Sequence, residues 1–357
     1  MPKIKIAYFD TSAGMEDYSI NPTRYGGSSL LGKWAKELLN RDEFDFFIFA
    51  DEESFRGLGR KRIENNINCI PISRETTTRI KGGEILENHI PGLDYFDMVF
   101  HHNVSFKLNF KSKKIKQVMW CPFGKIEDAH PEIDYVLCFR KNQKPITSNQ
   151  KIFNFTFGTE VNPLKTFHKK EKFIFQCTRH DEQTNSIEVA ENCHKNNILG
   201  YFAGPIYYDN PNSFLNLMDN KNCFYLGGEI SNETKIDFTQ KAVLYSFLFK
   251  RNPSFNISAI ESLACGTPIL IPQENLPERT NNNSMFNGDV IPDDQFLKNL
   301  IQNNKTGFLY NGSNFKELFE LSEKTNPEDC WEAAQNYSAE KMIESLSLIL
   351  KEIKETA

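Results

Sequence analysis

The chain has 357 residues, of which 39% are hydrophobic and 13% aromatic, so it is long enough for two domains and too apolar to be disordered. Its net charge is −5, and residues 1–157 carry 23 lysines and arginines against 20 acidic residues while the remainder carries 19 against 27, a balance that does not suggest a nucleic-acid partner. No apolar run reaches the ~18 residues of a membrane span, and the N-terminus lacks a signal-peptide pattern. The eight cysteines lack metal-site spacing. We therefore expect a cytoplasmic protein.

Apolar runs in the first half predict a parallel α/β sheet. The predicted strands cover residues 4–9, 44–50, 68–72, 97–101, 117–122 and 135–139. Between the first two of them, Gly26 and Gly27 precede a predicted helix. Paired glycines between a strand and a helix let the backbone approach a ligand closely, although they also form plain turns.

The strand at 97–101 is followed by polar side chains, beginning with a histidine pair that includes His102. A histidine at the carboxyl end of a parallel strand can donate a hydrogen bond to a sugar hydroxyl or a phosphate oxygen, but an ordinary surface histidine fits equally well.

A run of lysines follows this histidine pair. Such a run can contact an anionic membrane face or a phosphorylated lipid, although a solvated surface loop also explains it. The lysines are Lys107, Lys111, Lys113, Lys114 and Lys116.

The second half predicts another parallel sheet, with strands at 173–177, 198–203 and 223–226. Arg179 follows the first of them. A further strand–helix–strand unit lies at 245–272, with strands at 247–249 and 269–271, and Gly266 ends its helix as a C′ residue. A single long helix is predicted from 327 to 355.

The helix of this strand–helix–strand unit carries the strongest functional signal. Its first amides, at residues 256–259, would face the carboxyl edge of the sheet, where phosphates bind in such folds. Glu261 lies one turn further along, where a carboxylate can accept hydrogen bonds from a ribose diol.

Three motifs in this order give a family resemblance. The segment SFNISAIESLACGTPIL (254–270), then LPE (276–278) and TGFLY (306–310), resembles the nucleotide-sugar half of the retaining glycosyltransferases of family four. The resemblance implies an α/β protein of the GT-B fold: two Rossmann-like domains with parallel sheets facing a central cleft, and a C-terminal helix crossing back to the first domain. A Rossmann-like domain in which CGTP merely caps a helix is the alternative.

The resemblance also implies a domain division. An acceptor-side domain would cover residues 1–157 and a nucleotide-sugar-binding domain residues 158–335. The C-terminal helix, at 336–357, would pack back on the first domain.

The resemblance implies a retaining hexosyl or other glycosyltransferase that moves a sugar from a nucleotide-sugar donor to a glycan, lipid or other acceptor. The catalytic residues implied are His102 and Arg179. The donor-binding residues implied are Gly26, Gly27, Arg179, Asn185, Gly228, Ile230, Lys235, Asn256, Ile257, Ser258 and Glu261. No cofactor is expected, because the nucleotide-diphosphate sugar is a substrate, and no metal, because the chain has no Asp-x-Asp pair.

The chain departs from the family pattern at three places. Asn185 stands where the family has a phosphate-binding lysine, and Lys235, Lys250 or Arg251 would have to supply that charge. Pro253 replaces the first glutamate of the Glu-x7-Glu pair, and Glu274–Asn275 replaces a Gly-Gly.

These departures leave two alternatives open. One is a catalytically weak or inactive nucleotide- or glycan-binding protein derived from a glycosyltransferase. The other is a nucleotide-sugar epimerase of the same fold. For any of these readings, a cytoplasmic protein could lie at the inner membrane face through residues 107–116.

Overall fold

The computed structural model describes two compact units, one formed by Met1–Phe157 with Ala339–Ala357 and the other by Gly158–Ser338. The described residues are 3–9, 43–51, 68–73, 75, 84–85, 95–102, 107–108, 115–121, 133–138, 147–155, 158–159, 167–182, 184–218, 221–249, 257–273, 296–301 and 304–356. Within these ranges, no helix is long and apolar enough to cross a membrane.

The first unit is built on a parallel sheet of seven strands. These strands are β1 (Ile4–Phe9), β2 (Phe44–Asp51), β3 (Asn68–Ile72), β5 (Met98–His102), β7 (Lys116–Cys121), β8 (Tyr135–Cys138) and β9 (Lys151–Asn154), in the order β3-β2-β1-β5-β7-β8-β9. Two short strands, β4 (Glu84–Ile85) and β6 (Lys107–Leu108), pair separately. Central positions such as Val99 and Val136 are fully buried, as expected of a parallel sheet covered on both faces.

The C-terminal helix α8 (Ala339–Glu355) belongs to this first unit. Its buried face is apolar along its length, with Ile343, Leu350 and Ile353 all at most 3% exposed. Three ion pairs flank that face: Lys351 to Glu43 at 2.7 Å, Lys151 to Glu352 at 2.5 Å, and Lys354 to Asp97. Because these pairs are exposed or only partly buried, the apolar face supplies most of the helix's stabilisation.

The second unit has a six-stranded parallel sheet. Its strands are β10 (Glu171–Cys177), β11 (Leu199–Ala203), β12 (Cys223–Tyr225), β13 (Ala242–Ser246), β14 (Ile269–Pro272) and β15 (Gly307–Tyr310), in the order β12-β11-β10-β13-β14-β15. Its helices are α1 (Ser186–Asn196), α2 (Pro211–Met218), α3 (Asn232–Lys241), α4 (Ile257–Ala264), α5 (Phe296–Leu300), α6 (Phe315–Ser322) and α7 (Pro327–Gln335). Separate apolar clusters pack on its two faces, one around Phe202 and Phe214 and the other around Phe175 and Ile260.

The strand order of this sheet reverses direction in the middle. From β10 the chain moves outward through β11 and β12, and it then returns to the other side of β10 and moves outward through β13, β14 and β15. The carboxyl ends of β10 and β13 therefore form the topological switch point, where ligands bind in open α/β sheets.

Two sequence predictions of secondary structure are wrong. A strand was predicted at 247–249, but the strand in this part of the chain, β13, lies just before that segment, at Ala242–Ser246. Phe247 still donates to the Leu270 carbonyl at 2.7 Å, but the Phe249 amide turns back to the Phe247 carbonyl at 2.8 Å, which ends the pairing. Residues 247–249 are all buried, the two phenylalanines by aromatic packing and Leu248 in the apolar cluster on the opposite face, and this burial explains their apolar character.

The single helix predicted at 327–355 is two helices, α7 and α8. The chain breaks at 336–338 because those residues pair elsewhere: Thr159 donates to the Tyr337 carbonyl at 2.9 Å and forms a parallel bridge with Ser338. Gly158 allows this approach, because a Cβ at that position would lie 2.3 Å from the Ser338 carbonyl oxygen.

Candidate functional site

The loops after β10 and β11 are joined by backbone hydrogen bonds at the carboxyl edge of the second sheet. Thr178 donates to the Ala203 carbonyl at 2.9 Å, His180 donates to the Pro205 carbonyl at 2.8 Å, and Tyr207 donates to the His180 carbonyl at 2.8 Å. The loop that carries Arg179 is therefore an extension of the sheet rather than a free connection.

Gly204 makes this junction sterically feasible. Its φ is +120°, and a Cβ at this position would lie 1.9 Å from the Thr178 carbonyl oxygen. Its amide donates to the Gly227 carbonyl at 2.9 Å, and its own carbonyl accepts from the Tyr225 hydroxyl at 2.8 Å. Gly204 thus links the loops after β10, β11 and β12, and it was missed in the sequence although a glycine directly after an apolar strand is a recognised signal.

His180, the residue after Arg179, fixes this loop to the interior of the second unit. Its imidazole is fully buried, its Nδ1 lies 2.8 Å from the Ser186 hydroxyl oxygen at the start of α1, and its ring stacks on Phe214 with centroids 4.7 Å apart. Burial lowers the pKa of His180 to about 4, against the opposing effects of the Ala203 backbone and the Asp181 carboxylate.

Because His180 is buried with a lowered pKa, we expect the stability of the second unit to fall at acidic pH. The unfolded chain binds a proton on His180 near pH 6.5 and the folded chain only near pH 4, so stability is complete above pH 6.5 and is lost as the pH falls towards 4. At pH 5 we expect this one group to lower the free energy of unfolding by about 2 kcal/mol.

His180→Phe should remove that part of the pH dependence in chemical unfolding experiments at pH 5 and pH 7.5. His168→Gln, at an exposed histidine, is the control, and an equal pH dependence in wild type and His180→Phe would contradict the assignment.

Arg179 itself remains accessible at this edge. Its side chain is about half exposed, and its Nε lies 2.5 Å from Asp181 Oδ2. Asp181 is fixed in turn, because its Oδ1 accepts from the Thr184 amide at 3.0 Å. The pairing holds the guanidinium in one orientation through Nε, and the guanidinium carries further N–H donors.

Asn185 has a different setting from the one predicted for it. It is buried, precedes α1 in the left-handed conformation with φ of 54°, and its side-chain amide donates to Glu188 at 2.5 Å. A phosphate contact from Asn185 stays a prediction, and this contact would compete with the bond to Glu188.

Lys235 and Glu261 form the second charged pair of this edge. Lys235 lies in the first turn of α3 and Glu261 in α4, and the ammonium Nζ lies 2.5 Å from the carboxylate Oε2. Both side chains are partly buried, with 24% and 34% exposed. Burial lowers the pKa of the Lys235 ammonium, but the charge and hydrogen bond of Glu261 outweigh it, and the pKa is raised overall.

This pair lies beside the switch point. Cys177 ends β10, and while burial raises the pKa of its thiol, Lys235 lowers it and Glu261 raises it, so both charges are near. The Tyr245 hydroxyl of β13 accepts from the Cys177 amide at 3.1 Å and donates to the Cys177 carbonyl at 2.8 Å. These two hydrogen bonds join the carboxyl ends of β10 and β13 next to the Lys235–Glu261 pair.

The remaining predicted site residues divide into two groups. Gly228 and Ile230 follow β12, Ile257 and Ser258 begin α4, and His102 ends β5 in the first unit, in register with Trp120 of β7. The residues outside the described part of the chain are Gly26, Gly27, Lys111, Lys113, Lys114, Lys250, Arg251, Pro253, Asn256 and Glu274–Asn275.

Metal binding has no support from side-chain clusters in the described ranges. No three histidine, cysteine, aspartate or glutamate side chains there come together as a set that could hold an ion.

Solved glycosyltransferase structures share the fold of the chain. It is similar to a glycosyltransferase from Rickettsia africae ESF-5, with 13% identity over 100% of both chains and a TM-score of 0.63. It is similar to AviGT4, a glycosyltransferase involved in avilamycin A biosynthesis, with 12% identity over 99% of both chains and a TM-score of 0.61. It is also similar to Anabaena Alr3699/HepE in complex with UDP, with 10% identity over 98% of this chain and 100% of that chain and a TM-score of 0.61. That Anabaena protein has also been solved with UDP-glucose.

These likenesses confirm the predicted fold class of two Rossmann-like, parallel-sheet α/β domains of the GT-B type. No protein-family model and no curated protein sequence matches the chain.

Proposed function

We propose that this protein is a retaining glycosyltransferase of family four that transfers a sugar from a nucleotide-diphosphate donor to a glycan or lipid-linked acceptor. The observation that carries the proposal is the grouping of charge at the switch point of the second sheet. Arg179 follows β10, while Glu261 lies on the helix that follows β13, the neighbouring strand. A diphosphate is stabilised by a cation and a ribose diol by a carboxylate, and here both groups follow neighbouring strands at one sheet edge.

In this proposal the second unit holds the donor. Arg179 and the amides at the start of α4, near Ser258, stabilise the negative charge on the departing diphosphate. Glu261 accepts hydrogen bonds from the ribose diol, and Gly228 and Ile230 after β12 contact the base through backbone. These assignments follow the resemblance together with the geometry of the sheet edge.

His102 and the Gly26–Gly27 loop belong to the first unit, where the acceptor would bind. His102 would orient the transferred sugar or the acceptor, and the glycine loop would approach the acceptor or the donor phosphates. We propose no protein nucleophile, because nothing in the sequence nominates one.

We also propose that the reaction needs no metal, because Arg179 and helix-end amides can neutralise the diphosphate. A cytoplasmic location, with a peripheral membrane contact through the lysines of 107–116, stays a prediction.

A ligand screen tests the donor site. We expect UDP, GDP or ADP, or one of their sugar conjugates, to raise the melting temperature, because a ligand at 100 times its Kd adds about 2.7 kcal/mol of stability. UDP is the first candidate, since a protein of the same fold binds it. The absence of a shift with every nucleotide and nucleotide sugar would contradict the proposal.

Turnover then separates the proposal from its alternatives. Transfer to an acceptor with the donor's anomeric configuration, measured by NMR and unaffected by EDTA, supports a metal-independent retaining transferase. Binding without turnover favours an inactive binding protein, which the loss of a lysine at Asn185 and a glutamate at Pro253 would suit. An epimer formed from the nucleotide sugar alone favours the epimerase, and activity abolished by EDTA overturns metal independence.

A further inference from the structure

The ion pair between α3 and α4 is as short as the surface pair Lys151–Glu352 but less exposed. Lys235 Nζ lies 2.5 Å from Glu261 Oε2, and within the described residues Glu261 Oε1 has no hydrogen-bond partner. One carboxylate oxygen is therefore held by Lys235, and the carboxylate belongs to a side chain that is 34% exposed.

Lys235 is itself firmly placed. Ser231 caps α3 by accepting from the Thr234 amide at 3.1 Å, and the Lys235 amide donates to the Ser231 carbonyl at 3.0 Å. The cap follows directly on Ile230, so the lysine backbone is fixed by the segment after β12 and its ammonium reaches across to α4.

Among the described residues, Glu261 is the charged group that acts on the Lys235 ammonium. The thiols of Cys177 and Cys265 also lie near it, and they are neutral because burial raises the pKa of each. Within the described ranges, the ammonium is the group that compensates the charge of this carboxylate, which lies beside these neutral groups and the buried Tyr245 ring.

We infer that Lys235 is a positioning residue, which orients Glu261 as a hydrogen-bond acceptor and thereby determines the preference for ribose over deoxyribose. The inference rests on the proposed function. It assigns Lys235 a role different from that of a cation on the diphosphate, because its charge is already paired with Glu261 at 2.5 Å.

The two roles differ in what they do to nucleotide selectivity. A lysine that acts through Glu261 changes the affinity ratio between ribonucleotides and 2′-deoxyribonucleotides. A lysine on the diphosphate weakens both sugars equally and leaves the ratio unchanged, because both ligands carry the same phosphates.

The experiment is calorimetric titration of the full chain with the ribonucleoside and 2′-deoxyribonucleoside diphosphates of uracil, guanine and adenine. For the base that binds, wild type should prefer the ribonucleotide by about ten-fold or more, as expected for hydrogen bonds to a charged group. Lys235→Met and Glu261→Gln should each lower this preference several-fold, and Lys235→Met should have no further effect on it in the Glu261→Gln background.

Lys241→Met is the matched control, because Lys241 lies on the same helix and pairs with Asp237 at 2.8 Å rather than with α4. It should leave the preference unchanged. Melting temperatures of all variants establish that they are folded, and Lys235→Ala takes the place of Lys235→Met if the methionine variant does not fold.

The outcomes are distinguishable. Binding by wild type with an unchanged preference in Lys235→Met, or in Lys235→Ala if Met fails to fold, overturns the inference and leaves the proposed function intact. Failure of wild type to bind any of the six nucleotides, or their sugar conjugates, overturns the proposed function and the inference with it.

Discussion

Replacing Gly204 by alanine is expected to lower the stability of the second unit by more than about 3 kcal/mol. Two costs add at this position. A φ of +120° is strained for any residue with a side chain, and the new Cβ would lie 1.9 Å from the Thr178 carbonyl oxygen. Neither backbone can move aside cheaply, because Gly204 and Thr178 both belong to hydrogen-bonded loops, in which Thr178 donates to Ala203 and Gly204 donates to Gly227.

Gly312 provides the matched control. Its φ is +93°, but a Cβ there would meet no atom within 4 Å, so Gly312→Ala carries the backbone strain without the collision. We expect it to cost about 1–2 kcal/mol. The measurement is urea unfolding of both variants followed by circular dichroism, and equal losses for the two would show that the collision at Gly204 is relieved by local movement.

The Gly204 variant also bears on the proposed site. The same junction supports the Arg179 loop, so any Gly204→Ala protein that still folds should bind nucleotide more weakly. The Gly312 variant should keep its affinity.

The sequence predicted most strands of both sheets, because strands of a parallel sheet covered on both faces are apolar runs. The run at 4–9 and the run at 68–72 are strands with those same bounds. β9 was not predicted as a strand, because its residues are exposed or only half-buried and form no apolar run. Apolar content reports burial and not hydrogen bonding, which is why Phe247–Phe249 was assigned to a strand that ends before it.

Local signals in the sequence were sufficient where the determining contact is local. Gly266 was predicted to end a helix, and it does so with φ of +71° just after α4. The break between α7 and α8 was not predictable in this way. It depends on Thr159, almost 180 residues earlier in the chain, and the amphipathic pattern continues through it.

In the candidate site, too, the sequence revealed individual residues but not the contacts between distant parts of the chain. Arg179 was identifiable as the cation after a strand, and Glu261 as the carboxylate inside an apolar helix. The pairing of Glu261 with Lys235 joins side chains 26 residues apart through the packing of two helices, and no periodicity specifies it. The pairing of Asn185 with Glu188 is local, but the amino-acid sequence gives no sign of the left-handed backbone conformation at Asn185 that accompanies it.

Arg179→Ala is expected to lower turnover by about 10²–10³-fold, since removing one charge-stabilising donor from a developing anion has that effect. Nucleotide-diphosphate affinity should fall less than turnover, because charge on the leaving diphosphate is greatest in the transition state. The measurement is kcat and KM with the donor identified by the ligand screen, together with the Kd of the nucleotide diphosphate.

Lys172→Ala is the matched control for this variant. Lys172 lies near the other end of the same strand, β10, and pairs with Glu323 at 2.7 Å. Because the strand is parallel to its neighbours, its amino end is remote from the carboxyl edge, and turnover should be unchanged. Equal turnover in wild type and Arg179→Ala would remove Arg179 from the mechanism.

Arg179→Lys separates charge from geometry. In the native protein Nε faces Asp181 at 2.5 Å while other guanidinium donors remain for a ligand. A lysine has a single ammonium for both partners, so we expect it to pair with Asp181 and to restore only a small part of the lost rate. Full restoration by lysine would mean that charge alone suffices, and the fixed orientation imposed by Asp181 would then have no part in catalysis.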